Sequence, residues 1–131
     1  MTTQTETVYL HDLHIEHSLW MNELKFVKEE ISIFEGYLED LTKKRQDREM
    51  LRGLEHFQNQ FIRQKEVLDI LAHDIKASER TLAANAKDNP EASENLEVDD
   101  HQYLFERFQQ FQKLYAELKE DFRVFMANWK Q

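Results

Sequence analysis

Cysteine is absent from this 131-residue chain, proline occurs once and glycine twice. Without cysteine there is no disulfide frame, no thiolate ligand and no cysteine nucleophile. Scarce proline and glycine argue against sheets and long loops, whose turns consume both. Basic residues are outnumbered: 17 Lys and Arg stand against 26 Asp and Glu, for a formal net charge of −9. The largest basic cluster is Lys43-Lys44-Arg45. A surface that displaces counterions from phosphate needs more than that, so neither nucleic acid nor anionic lipid is expected as a partner. No apolar run reaches the ~18 residues of a membrane span. The start, Met1-Thr2-Thr3-Gln4-Thr5-Glu6, lacks the basic and apolar regions of a secretory signal. A cytoplasmic protein is expected.

Catalytic signatures are missing too. Gly36 and Gly53 lie in no phosphate-binding loop, and no Ser or Thr sits beside a His in a strand-turn-helix elbow. The expectation is a protein that is not an enzyme.

What the chain has is helical periodicity. Apolar residues make up 40% of it and charged residues 33%. From Leu10 the seam runs Leu13, His17, Trp20, Leu24, Val27, Ile31, Phe34, Leu38, Leu41, in steps of three and four. Continuing that phase would bury Arg45, Arg48 and Arg52. A new seam starts at Met50 instead and passes through Leu54, Phe57, Phe61, Leu68, Leu71, Ile75 and Leu82. The break predicts a turn within residues 43–49, with Lys43, Lys44 and Arg45 at a helix C-terminus and Asp47 as the next N-cap. The polar stretch from Asn85 to Asn95 holds the only proline and reads as an acidic loop over 87–98. Asp99 and Gln102 then suggest a capping box before a third seam: His101, Leu104, Phe108, Phe111, Tyr115, Leu118, Phe122, Phe125, Trp129. The reading is one all-α domain over 1–131. It is an up-down-up antiparallel bundle of three long helices (about 8–44, 48–86 and 99–130) after an N-terminal tail of 1–7.

Polar residues break the seams at His17, Gln64, Ser78, Asn85 and His101. Folding the second helix back near residue 46 sets His17 level with residues 76–78. Folding the third about a loop near 92 sets His101 level with residues 83–85. Most of these misfits therefore gather at one bundle end, where His11 and His14 step by three toward His17. His17, His101, His14 and His11 are candidate ligands for a transition metal, Fe or Zn, with Asp12, Glu16 and Glu106 as nearby carboxylates. A wet bundle end, with His, Ser and Asn bonded to one another or to water, accounts for the same pattern. His101 in a first helical turn would favour its neutral form.

His17, then His56 with Gln60, then His73, then His101 with Glu106, loosely resemble hemerythrin-like proteins, which implies a di-iron site held by bundle helices. The chain departs from that pattern where Gln60 replaces a bridging carboxylate and Ala77 a second His. His56, His73 and Glu106 also fall on outward positions.

A further row on the first helix, Ile15, Leu19, Phe26, Ile33 and Tyr37, lies about 130° from the seam at 100° per residue. A three-helix bundle leaves such a row uncovered. It is the candidate interface of a homodimer, or of another protein partner, unless the helix is simply buried over a broad arc. The leading expectation is a helical bundle that acts by association, and the alternative is a bundle that binds metal or ligand at its histidine end.

Overall fold

The computed structural model describes the backbone of residues 3–88 and 90–129, and the side chains of residues 11–84 and 100–129. Among the described residues there are three helices: α1 (Thr3–Lys44), α2 (Arg48–Asp88) and α3 (Pro90–Trp129). At 1.5 Å per residue each is about 60 Å long. The three-helix bundle expected from the seams is what the chain forms. No described helix is long and apolar enough to cross a membrane.

The first turn falls inside the phase break. Arg45 N–H bonds Leu41 C=O and closes α1, while Leu51 N–H bonds Asp47 C=O and opens α2. Asp47 thus occupies the N-cap place, and its carboxylate receives the Arg45 guanidinium. That guanidinium also lies 5.0 Å from the centre of the Trp129 ring. No described residue has positive φ, which is why this turn needs no glycine.

The second connection corrects the expected boundaries. Residues 87–88 and 90–98 are helical, so no loop spans 87–98, and α3 starts at Pro90 rather than near 99. Proline is compatible with a first helical turn, where its missing N–H would have had no partner. Asp99 is consequently not a cap, and His101 lies about three turns inside α3 rather than in its first turn. The tail is shorter than expected as well, since α1 begins at Thr3.

Pairs of residues fix the directions. Lys28 bonds Asp69 and Lys65 bonds Glu35, so α1 and α2 run antiparallel. Glu16 meets His101, Tyr115 bonds Glu30, and Phe34 packs on Phe122, so α1 and α3 run parallel. Each seam faces the common core, from Leu13 to Leu41, Met50 to Leu82 and Leu104 to Phe125. Toward the first turn the core is aromatic, with Phe57 in ring contact with Phe61, Phe122 and Phe125, and Phe61 with Phe122. Gly53 makes room there, because a Cβ built on it would overlap the ring edge of Phe125.

Candidate functional site

Two features of this fold invite a functional reading, and α1 contributes to both. Its outer row is open to solvent: Ile15 is 44% exposed, Leu19 60%, Phe26 57%, Ile33 53% and Tyr37 50%. Along the helix the row spans about 33 Å. At one end Tyr37 continues into a groove between α1 and α3, lined by Phe34, Leu41, Lys44, Phe122 and Met126. At the other end Ile15 borders a shallow cleft with Asp12, Leu13, Glu16 and His101. The row thus has one member at each of two separate α1/α3 clefts.

The second feature is a chain of hydrogen bonds that crosses the bundle. His17 is only 1% exposed, on the seam of α1. Its Nδ1 donates to Glu79 Oε1 of α2 at 2.6 Å, while the other oxygen of Glu79 accepts from His14 Nδ1 at 2.9 Å. On the opposite edge His17 Nε2 lies 3.2 Å from His101 Nδ1 of α3. His101 Nε2 in turn lies 3.0 Å from Glu16 Oε2. The run is carboxylate, imidazole, imidazole, carboxylate, and it joins three helices.

The proton count follows from the bonding. Both carboxylates accept, so each end of the pair needs an N–H, and the link between the rings needs one more. Three N–H groups among the four nitrogens satisfy every link. Burial lowers the pKa of His101; the Glu16 carboxylate opposes that shift without reversing it, and His17 adds to it. A neutral His101 gives its one N–H to Glu16 and accepts at Nδ1. His17 bridges Glu79 and His101, 2.6 Å from the first and 3.2 Å from the second.

Aromatic rings hold this arrangement. The indole of Trp20 stacks on His101 with centroids 5.0 Å apart and planes 18° apart, and it stacks on Phe105 and Phe108 as well. Neither imidazole can tilt freely. Lys76 and Arg80 line the outer groove in which Glu79, His14 and His17 also lie.

Of the four proposed metal ligands, the fold brings together His14, His17 and His101, joined through hydrogen bonds. His11 is exposed and joins none of these bonds. Among the described residues no group of three or more His, Asp or Glu is placed to hold a metal ion. Both nitrogens of His17 and of His101 already have partners. Of the hemerythrin-like set, His56, His73 and Glu106 are exposed, His56 with its ring against Phe57 and His73 beside Asp74. They do not converge with His17 and His101.

Seam reasoning missed Glu79 and the stacking role of Trp20. Ser78 is buried as expected, and the side chain of Asn85 lies outside the described residues. Glu79 stands one residue past the positions placed level with His17, on the flank that faces α1. Two other buried polar groups differ from this network. Tyr115 donates to Glu30, which also receives Lys119, and burial followed by that contact pushes the phenol pKa well up. Gln64 Oε1, in mid-bundle, has no hydrogen-bond partner among the described residues. No protein-family model, curated protein or solved structure matches the chain.

Proposed function

We propose that this chain is a non-enzymatic helical-bundle protein that acts by association, with itself and through the outer face of α1. The observation that carries the reading is the exposed row Ile15, Leu19, Phe26, Ile33 and Tyr37. Single exposed apolar residues are ordinary on a protein surface. Five large ones aligned along one helix, with Asn22, Glu23, Glu29 and Glu30 between them, form a surface on which a partner helix can lie. The row leaves roughly 500 Å² of apolar side chain open per copy, judged from typical side-chain areas.

Sedimentation velocity over a range of concentrations tests this. The native chain is expected to dimerise, and Phe26→Glu to shift it to monomer while helicity and the thermal midpoint stay near native values. A native chain that remains monomeric at the highest concentration reached would overturn the proposal.

A further inference from the structure

The exposed row has an internal symmetry. Leu19 and Ile33 each stand seven residues from Phe26, and Ile15 and Tyr37 each stand eleven. At 100° per residue the five fall within an arc of about 40°. The spacing, though not the residue identities, reads the same from either end.

We infer that the occupant of this face is a second copy of the chain, with the two α1 helices crossing antiparallel and the two-fold axis beside Phe26. The inference rests on the association through α1 proposed above and specifies its partner and register. A two-fold axis makes an interface isologous, so a residue on one copy meets the residue equally far from the axis on the other. Phe26 then meets its own counterpart, Leu19 meets Ile33, and Ile15 meets Tyr37. Every apolar residue of the row finds an apolar partner.

A parallel pair would match each residue with itself whatever the spacing, so the symmetry about Phe26 would have no purpose there. It would also place exposed Lys44, which continues the row, against the Lys44 of the other copy. The antiparallel pair separates those lysines and sets the helix dipoles head to tail. The same construction brings together His11 and Asp40, fifteen and fourteen residues from Phe26 on one flank, and sets Glu23 beside Glu30, three and four residues from it, on the other. Two copies of the row bury about 1,000 Å² together when every exposed side chain is covered, below the roughly 1,200 Å² of stable interfaces and in the range of weak, reversible ones.

The natural absence of cysteine makes the test direct. Three variants, Phe26→Cys, Leu19→Cys and Ile33→Cys, are treated at dimer-forming concentration with a short thiol-to-thiol cross-linker. Phe26→Cys is expected to give covalent dimer alone. Leu19→Cys and Ile33→Cys are expected to stay uncoupled alone and to couple when mixed. Covalent dimer from Leu19→Cys alone and Ile33→Cys alone, with no gain on mixing, would show a parallel pair and overturn the inference while leaving association intact. A native chain that sediments as monomer overturns both. Circular dichroism of each variant checks that the bundle is kept, which is expected because all three positions are exposed.

Discussion

His17 and His101 meet edge to edge inside the bundle, Nε2 to Nδ1 at 3.2 Å, each with a carboxylate on its far side. One proton lies between the rings. Adding a fourth proton to the pair would set two N–H groups against each other, and removing the third would leave a link without a donor. The pair thus has one best protonation state, and departures from it act on the stability of this end of the molecule.

Acid should weaken the fold through His101. Its folded pKa lies below the ordinary 6.5 because of burial. The unfolded chain therefore takes up a proton near pH 6.5 that the folded chain refuses. This contribution to stability is complete above 6.5 and is lost as pH falls through that value toward the folded pKa. Urea unfolding across this interval is expected to show a falling midpoint, and the slope should flatten in His101→Phe. Proton-detected imidazole titration should show His101 titrating below 6.5. A value above it would reverse the sign and refute the prediction.

Glu79 bonds two histidines, so its loss leaves His17 buried without its acceptor. Glu79→Ala is expected to cost about 1–3 kcal/mol, the range for an orphaned buried polar group. His14→Ala removes only an exposed contact and should cost less than about 1 kcal/mol. Chemical denaturation of both variants measures the contrast. Equal costs would show that the buried link carries no special weight.

The two glycines should answer in opposite directions to the same change. Nothing lies within 4 Å of a Cβ added at Gly36, whereas at Gly53 it would overlap Phe125. Gly36→Ala is expected to stabilise by up to about 1 kcal/mol through helix propensity. Gly53→Ala gains the same propensity but forces the buried Phe125 ring aside, at a cost of about 1–3 kcal/mol. Thermal midpoints should rise in the first variant and fall in the second. Pairing Gly53→Ala with Phe125→Leu should recover part of the loss.

Gln64 offers a stabilising substitution. Its Oε1 is buried without a hydrogen-bond partner among the described residues, and the rest of the side chain lies within the α2 seam. Gln64→Leu keeps a similar volume and removes the orphan, and a gain of about 1 kcal/mol in denaturant unfolding is expected. A loss of stability would mean that the amide is bonded in solution.

The seams were legible because burial is periodic. Every described seam position from Leu13 to Phe125 is buried except Phe34 and His101, which are half-buried. The turn between Leu41 and Met50 was legible from phase alone, although it carries neither glycine nor proline. The stretch around Pro90 was not. Polar composition resembles a loop, yet a proline and acidic residues are both suited to a helix start, and nothing local separates the two cases. That boundary shifts the register: moving the hairpin centre from about 92 to about 90 slides the facing residue by about one turn. His101 was therefore placed opposite residues 83–85 instead of near Glu79. Glu79 itself lies on the flank of the seam, where inward periodicity gives no signal, and its partners are more than sixty residues away.

The parallel course of α1 and α3 has a consequence for motion. Each is tied covalently to α2 but not to the other, and of the three pairs these two approach each other least closely. Separating them breaks no backbone connection and leaves both α1–α2 and α2–α3 hairpins standing. Contact between the two rests on side chains alone, with Trp20 on Phe105 and Phe108, Phe34 on Phe122, and His17 beside His101. Amide exchange should be slowest in the buried middle of α2 and faster toward the helix ends.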